Sequence, residues 1–503
     1  MNAQAAWLLR ATDPADSDAV YRATLIAMEH GLAEEALPLA QAGAEAHPGD
    51  ARMWQVLALA SRDLEDLAPA VEAIGRAAAL APHDPLIAHT RARAAMEAGL
   101  PSSHLFEPAR RLSPGDMSVL LGEVAALFGE GRLDDAIALL EEQLRTDPLR
   151  LEAQATLARL RWMRGERDSF TSGFEAAAAA APRDVAIWRE WTDTLMHAAL
   201  YDQALATIDR GRAAMGGHLA FDALETVCRA EKGETEAADR LFARLGSIEH
   251  VTMATRYVRH LLRAGRPKEA AAFAEGWRAR DPGHFMIPYL SAAWRLTGDP
   301  RWHWLEGDKR LIGIYDLADD IPSLADLAER LRGLHLSLHH PLEQSLRGGT
   351  QTDGPLFSRI EPEIRALRAA IVKAVEAHIA QLPPPQPGHP ILIGRRAPIR
   401  FAGSWSVRLT DAGYHVNHVH PQGWISSAFY VSLPDDAMGG PEHAGWLSIG
   451  EATELGLDLE PIRLIEPKPG RLVLFPSTMW HGTRPFAAGE RLTVAFDVGR
   501  PRQ

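Results

Sequence analysis

Histidines near the end of the chain have the residue type and spacing of a metal site. Three of them, His415, His418 and His420, lie within six residues, and His481 follows a later apolar run. Alternate residues of a β-strand face the same side, so the rings of His418 and His420 can point to one place. Imidazole is the commonest metal ligand among side chains. The pattern therefore predicts a catalytic metal centre formed by His418, His420 and His481.

Two other arrangements of these residues stay open at this point. Asp411 or His415 could replace one of the three ligands if the strand has a different register. The histidines could also be ordinary surface or loop residues that bond to their neighbours. Two histidines at strand spacing, with a third on a separate apolar run, favour the metal site.

The segment after Pro390 has the pattern of a β domain, which would position these histidines. Short runs rich in Val, Ile, Trp and Phe are separated by Gly, Pro and Asp clusters, and each run predicts a strand. The runs are 391–393, 405–409, 424–433, 446–449, 471–475 and 492–498. About seven short strands in such a length predict a jelly roll or barrel. An amphipathic helix is predicted over 360–382, where apolar residues recur at helical spacing.

A Gly-rich, polar segment, HHPLEQSLRGGTQTDGPLF, precedes that helix and is predicted to be a long loop. Long loops inside compact domains are often functional. Gln344, Arg347 and Gln351 could line the entrance for a substrate, or the loop could be purely structural.

Prolines in similar contexts recur along the N-terminal part of the chain. Successive prolines are about 34 residues apart, which is the period of helix-turn-helix repeats. They are Pro14, Pro48, Pro82, Pro114, Pro148 and Pro182, and Pro282 follows after close to three further periods. On this pattern the segment 14–295 resembles the tetratricopeptide repeat family. Such arrays often bind a peptide or protein on their concave surface, although this one could also be only a scaffold or a dimerisation surface.

Each repeat needs a small residue where its two helices cross, because helix axes approach closely only where side chains are short. That position holds Ala36, Ala70, Ala136, Ala204 and Ala270. Phe170 takes the position in one repeat, so that pair of helices is expected to splay. The pattern is weaker over 216–250, where the turn proline is missing.

Composition excludes several classes of protein. The net charge of −13, without a long basic run, argues against a nucleic-acid partner. A single cysteine, Cys228, excludes an internal disulfide framework and a cysteine-rich zinc site. No run approaches the roughly 18 apolar residues of a membrane span, and the N terminus lacks the apolar core of a signal peptide. We therefore expect a cytoplasmic protein without a membrane partner.

Two longer stretches make the β domain similar to a known family. HVHPQGWISSAFYV, followed by PGRLVLFPSTMWHGTRPF and ERLTVAFD, resembles the Fe(II)- and 2-oxoglutarate-dependent dioxygenases, in particular a bacterial branch of 2-oxoglutarate oxygenases. The resemblance covers about 341–501 and implies a double-stranded β-helix that uses Fe(II), 2-oxoglutarate and O2. It implies that Arg491, ten residues after His481, pairs with the far carboxylate of 2-oxoglutarate, a group that a guanidinium fits bidentately. Arg408 and Ser427 could also reach the co-substrate.

One position departs from the family. The usual ligands are two histidines and a carboxylate, and His420 stands where the carboxylate is expected. Three imidazoles still suit Fe(II) and leave open coordination positions, but they suit Zn, Cu or Ni as well.

Together the patterns predict a multidomain α + β protein. The predicted domains are an all-α tetratricopeptide superhelix over 1–300, a connector over 301–340, and a dioxygenase-like double-stranded β-helix with flanking helices over 341–503. The resemblance implies hydroxylation of a protein or peptide held by the repeats, and a homodimer is compatible with it. Two alternatives stay open: a three-histidine, cupin-like dioxygenase that does not use 2-oxoglutarate, and a repeat scaffold with a degenerate oxygenase domain.

Overall fold

The computed structural model describes residues 2–342, 344–434 and 442–501, without the side chains of Asn2, Asp411 and Ala412. The alternative in which Asp411 binds a metal therefore falls outside the described side chains.

Helices follow one another through the N-terminal part of the chain, as the repeat pattern predicts. Most neighbouring helices pack on each other, as α4 does on α5 and α12 on α13, and so bury apolar faces between them. The helices are α1 (Asn2–Ala11), α2 (Ser17–Glu29), α3 (Ala33–Ala46), α4 (Ala51–Asp63), α5 (Leu67–Leu80), α6 (Pro85–Glu97), α7 (Ser103–Leu112), α8 (Met117–Gly129), α9 (Leu133–Thr146), α10 (Leu151–Arg164), α11 (Ser172–Ala180), α12 (Val185–His197), α13 (Tyr201–Met215), α14 (Leu219–Glu231), α15 (Thr235–Leu245), α16 (Val251–Arg263), α17 (Pro267–Trp277) and α18 (Ile287–Thr297).

The spaced prolines mark the starts of helices, because most of them are followed two residues later by a capping aspartate. The carboxylates of these aspartates accept hydrogen bonds from backbone N–H groups in the first helical turn, as seen for Asp16, Asp50, Asp84, Asp116 and Asp184. A cap of this kind stabilises a helix by about 1 kcal/mol. There are two exceptions: Arg150, two residues after Pro148, makes no side-chain cap, and Pro282 is followed two residues later by His284.

The predicted crossing positions are confirmed by burial. None of the five alanines has exposed surface: Ala36, Ala70, Ala136, Ala204 and Ala270. Phe170 lies in a turn before α11 and packs edge-on against Trp162, with ring centroids 5.1 Å apart. The second helix of this repeat, α11, has only nine residues.

The rest of the chain combines a few helices with two antiparallel sheets. The helices are α19 (Arg301–Glu306), α20 (Leu324–Arg332) and α21 (Pro362–Gln381), which confirms the helix predicted over 360–382. The strands are β1 (Gly313–Asp316), β2 (Leu346–Gln351), β3 (Phe401–His415), β4 (Gly423–Ser432), β5 (Leu447–Ile449), β6 (Arg463–Ile465), β7 (Arg471–Pro476), β8 (His481–Thr483) and β9 (Glu490–Gly499). The larger sheet has the order β1-β7-β4-β9-β3-β2 and the smaller one β6-β5-β8. The predicted α + β class is confirmed, with the helices first and the sheets at the C-terminal end.

Two local predictions are wrong. The segment 391–393 forms no strand, because the backbone N–H groups of Ile391 and Leu392 donate to Nδ1 of His389 and are not available to a sheet. The polar segment predicted as a loop contains β2, which pairs with β3. Gly349 permits this pairing, since a Cβ there would lie 2.2 Å from the carbonyl oxygen of Arg408.

By its internal contacts the chain divides into two compact units. The first comprises 1–139 and 353–368, and its core is formed by small and aliphatic side chains between successive helices, such as Ala70 and Ile74. The second comprises 140–352 and 369–501. Within it, α16 to α18 share one apolar core with Leu455 and Trp480 of the β domain. The boundaries predicted for repeats, connector and β domain stay a prediction. In the described part of the chain, no helix combines the length and apolar character needed to cross a membrane.

Candidate metal centre

Backbone pairing brings histidines from two separate segments side by side. His418 and His481 exchange both of their backbone hydrogen bonds, at 2.9 and 3.0 Å. The N–H of His420 donates to the carbonyl of Ser477 at 2.9 Å. The stretch with His418 and His420 therefore runs antiparallel to the one that ends in His481, and both of its rings face the same side.

The three imidazoles converge on one point. The ring centroids of His418 and His481 are 4.2 Å apart, those of His418 and His420 are 4.9 Å apart, and those of His420 and His481 are 5.3 Å apart. One nitrogen atom from each ring lies within 4.8 Å of the other two. Metal–imidazole bonds are about 2 Å long, so small rotations of these side chains bring all three atoms onto one ion.

Hydrogen bonds determine which nitrogen atom of His418 and of His481 can bind a metal. Nδ1 of His418 donates to the carbonyl of Val416 at 2.8 Å, and Nδ1 of His481 donates to the carbonyl of Met479 at 3.0 Å. A carbonyl can only accept, so Nδ1 carries the proton in both neutral rings. Nε2 is then the atom with a free lone pair, as in metal-bound histidines whose other nitrogen donates to a carbonyl.

Burial keeps two of the rings neutral at physiological pH. It lowers the pKa of His418 to about 3 and holds the pKa of His481 well below its ordinary value, and the neighbouring histidines act in the same direction. Burial also opposes a charge on His420, but the negative charge of Asp497 and its hydrogen bond outweigh this effect and raise the pKa of His420. A metal requires neutral imidazole, so His418 and His481 are ready to bind a cation, whereas His420 would have to release any proton on Nε2 to do so.

The carboxylate of Asp497 lies on the far side of the His420 ring from the other two imidazoles' meeting point and bonds to its Nδ1. Oδ2 of Asp497 accepts from Nδ1 of His420 at 2.5 Å, and Ser426 donates to Oδ1 of the same carboxylate at 2.5 Å. A carboxylate in this position fixes the ring and makes Nε2 a stronger donor to a metal. Sequence reasoning missed Asp497, although strand alternation from Arg491 contained the signal.

A cavity of about 460 Å³ opens onto the three imidazoles. One wall is β9, where alternate side chains face inward: Arg491, Thr493, Ala495 and Asp497. Arg491 is only 2 % exposed, and its Nε has no hydrogen-bond partner among the described residues. Its guanidinium lies 5.0 Å from the ring centre of Tyr430. A buried guanidinium with an unused N–H is suited to binding an anion, and a carboxylate fits it best.

Ser427 and Arg408, which were predicted to reach the co-substrate, differ in their position relative to the cavity. Ser427 lines the cavity, but its hydroxyl donates to the carbonyl of Phe496 at 2.9 Å and accepts from the N–H of Phe496 at 2.8 Å. Arg408 is not among the residues that line the cavity, and its guanidinium pairs with Glu490 at 2.5 Å. This placement does not support a contact between Arg408 and a co-substrate, because neighbouring residues of β3 face opposite sides and Val407 is the one that lines the cavity.

His415 lies beside the centre rather than in it. Its ring centroid is 5.8 Å from that of His418, and the group of converging nitrogen atoms does not include it. Nδ1 of His415 is 3.1 Å from the hydroxyl of Ser345, which is also 3.3 Å from Nε2 of His418. Ser345 can therefore turn toward His415 when Nε2 of His418 binds an ion.

The opposite parts of the cavity come from segments far away in the sequence. Gln344, Arg347 and Gln351 all line it, and their role at a substrate entrance stays a prediction. Two residues of the helical region, Arg259 of α16 and Tyr289 of α18, line it as well. No pattern in the sequence connects these two positions with the histidines.

The donor set fits a divalent transition metal, and the buried guanidinium fits a dicarboxylate beside it. Imidazole is a ligand for Fe, Zn, Cu and Ni, and three of them leave coordination positions open. The fold is thus α + β, and three imidazoles in its antiparallel-sheet domain converge in a way that could hold a metal ion. Residues 403–497 match the model of a family described as "Putative 2OG-Fe(II) oxygenase", so the C-terminal part of the chain carries a domain of this oxygenase family.

Several solved structures are similar to the helical N-terminal region. A tetratricopeptide repeat protein from Parabacteroides merdae is 16 % identical, with 47 % of this chain and 94 % of that chain covered and a TM-score of 0.31. A thermophilic TPR protein from Thermus thermophilus is 20 % identical, with 36 % and 99 % covered and a TM-score of 0.27. MamA from Desulfovibrio magneticus is 17 % identical, with 32 % and 93 % covered and a TM-score of 0.29. No curated protein matches the chain.

Proposed function

We propose that the protein is an Fe(II)- and 2-oxoglutarate-dependent dioxygenase that hydroxylates a protein or peptide. One observation carries the proposal: three imidazoles with converging nitrogen atoms and a buried Arg491, whose Nε has no hydrogen-bond partner among the described residues, line the same cavity. This combination would offer a metal site and a carboxylate site within one chamber, as a metal-chelating dicarboxylate requires.

The residues around the cavity have separate tasks in this proposal. His418, His420 and His481 would hold Fe(II), and Arg491 would pair with the far carboxylate of 2-oxoglutarate. Asp497 keeps the proton of His420 on Nδ1, so that Nε2 stays available. When bound, the metal would supply the redox chemistry by which O2 and 2-oxoglutarate give succinate, CO2 and a hydroxylated substrate.

A protein or peptide substrate is supported by the helical repeats. Repeat arrays present extended surfaces that commonly bind polypeptides. Within the second compact unit the last of these helices also contribute Arg259 and Tyr289 to the cavity wall. A homodimer and a cytoplasmic location stay predictions.

The proposal is tested by reconstituting the protein with Fe(II) without oxygen and then measuring succinate formed from 2-oxoglutarate on exposure to O2. We expect succinate from the unmodified protein and none from His481→Ala. Arg491→Ala should raise the 2-oxoglutarate concentration needed for half-maximal rate by at least about tenfold, because a charge-assisted bidentate contact is lost.

Arg408→Ala is the matched control, because this arginine lies on the same sheet but outside the cavity. It should leave the succinate rate unchanged. Unchanged affinity for 2-oxoglutarate in Arg491→Ala would point instead to a three-histidine dioxygenase whose substrate itself binds the metal. Absence of metal binding would leave a repeat scaffold with an inactive domain.

A further inference from the structure

A second cationic group faces the cavity from the helical region. Arg259 of α16 and Tyr289 of α18 both line the chamber that contains the three histidines. The side chain of Arg259 is 18 % exposed and Tyr289 is 6 % exposed, so both groups are shielded from bulk water while they border the cavity. Neither residue has a part in the metal site or in the contact proposed for 2-oxoglutarate.

Arg259 is held in place by a buried carboxylate. Its Nε and Nη2 donate to the two oxygen atoms of Glu231 at 3.0 and 3.1 Å. Arg256 and Arg263 bind the same carboxylate, each at 2.9 Å. Three guanidinium groups thus share one carboxylate, and this cluster of four side chains keeps an excess of positive charge.

The bonds to Glu231 leave part of the guanidinium unused. They use two of its five N–H groups, and a third donates to the hydroxyl oxygen of Tyr289, so two N–H groups remain for other acceptors. While its oxygen accepts from this guanidinium, the O–H of Tyr289 can still donate to another acceptor. A carboxylate placed here would therefore accept hydrogen bonds from two side chains.

Packing fixes this pair relative to the metal centre. The ring of Tyr289 meets Trp480 edge to face, with centroids 5.6 Å apart, and Nε1 of Trp480 donates to the carbonyl of Pro288 at 3.1 Å. Trp480 directly precedes His481 in the chain. The position of the cationic group is thus tied to a metal ligand by a buried contact rather than by a mobile loop.

The charges around the chamber favour an anion at this place. Its acidic lining residues are Asp497, which is bonded to His420, and Glu454, which is exposed. Arg347 lies on the lining as a further cation, with Nη1 directed to backbone carbonyls.

We propose that Arg259 and Tyr289 bind a carboxylate of the substrate, and so orient the substrate in front of the three histidines. This inference rests on the proposed function and adds a substrate class to it: a polypeptide that carries a carboxylate near the reacting position. The carboxylate could belong to an Asp or Glu side chain or to the C terminus of the peptide. Both sources offer the same chemistry to a guanidinium and a phenol.

The test measures binding of three short fluorescent peptides to the metal-free protein by fluorescence polarisation. One peptide has a central Asp and an amidated C terminus, the second has a central Asn and a free C-terminal carboxylate, and the third has Asn and an amidated end. At least one carboxylate peptide should bind about tenfold more tightly than the third, because a hydrogen bond to a charged group is worth about one decade in affinity or more. The peptide that binds best identifies the source of the carboxylate.

The decisive comparison is between two variants of the same ion cluster. Arg259→Gln should abolish the preference for a carboxylate, whereas Arg256→Gln should keep it, because Arg256 binds the same Glu231 but does not line the cavity. If Arg259→Gln does not fold, Tyr289→Phe takes its place and should weaken the preference several-fold.

Three outcomes would overturn the inference. These are equal binding of all three peptides, a preference that survives in Arg259→Gln or Tyr289→Phe, and a preference that is lost only in Arg491→Ala. Since no metal is present in this assay, its result is separate from that of the succinate assay. A protein that forms succinate but shows no carboxylate preference would keep the proposed function and lose only this inference.

Discussion

Replacing Asp497 by asparagine keeps the size of the side chain but removes the negative charge that faces Nδ1 of His420 at 2.5 Å. The change affects a hydrogen bond to a charged group that is almost buried, since the side chain of Asp497 is 13 % exposed. Such a bond contributes about 1.5 to 3 kcal/mol. Loss of a carboxylate behind a metal-bound histidine typically weakens metal binding by about 10- to 100-fold, which is a similar free energy. We therefore expect Asp497→Asn to bind Fe(II) about 10- to 100-fold more weakly.

The assay is an anaerobic titration with Fe(II), or with Co(II) as a coloured substitute, in competition with a chelator of known affinity. Asp316→Asn is the matched control, because Asp316 also bonds to a partner, Arg471, but lies at the sheet edge on β1 and does not line the cavity. It should bind the metal as tightly as the unmodified protein. If the metal affinity of Asp497→Asn stays within about twofold of that of the unmodified protein, Asp497 does not strengthen metal binding by His420.

Two further predictions concern stability. Burial raises the pKa of Glu306 to about 7 from 4.5, so the folded protein binds a proton that the unfolded chain has already released between these two values. Stability should therefore fall by about 3 kcal/mol as the pH rises from about 4.5 to about 7. Glu306→Gln should remove this loss of stability, which urea unfolding at pH 5 and pH 8 would measure. An unchanged pH dependence would show that Glu306 is not its source. Ala70→Leu should destabilise the repeats by about 1 to 3 kcal/mol, because a larger side chain does not fit at this fully buried position where two helices cross. Ala79→Leu on the exposed face of the same helix is its control and should have little effect, and equal thermal shifts for the two variants would contradict the role of Ala70.

Local patterns in the sequence predicted the elements that depend on near neighbours. The proline period is visible because each turn repeats the same geometry, with a capping aspartate two residues after most of the prolines. His418 and His420 could be paired because strand alternation is a property of neighbouring residues. Their meeting with His481 was predicted from the order of the strands and the resemblance to a family.

Features that depend on distant contacts could not be predicted in the same way. Arg259 and Tyr289 reach the cavity only because α16 and α18 share a core with the β domain, and the intervening sequence contains no sign of it. The strand β2 was missed because its glycines disfavour strands in general but permit close pairing here. Asp497 could have been found by alternation along β9, starting from Arg491.

In the proposed function, three imidazoles hold Fe(II) while Arg491 binds the far carboxylate of 2-oxoglutarate. The most direct measurement is a crystal structure grown without oxygen in the presence of Fe(II) and 2-oxoglutarate, with anomalous scattering used to locate iron. We predict one iron at about 2 Å from the Nε2 atoms of His418, His420 and His481, with the far carboxylate of 2-oxoglutarate on Arg491. An iron bound elsewhere, or a 2-oxoglutarate that does not contact Arg491, would show that these residues do not form the proposed site.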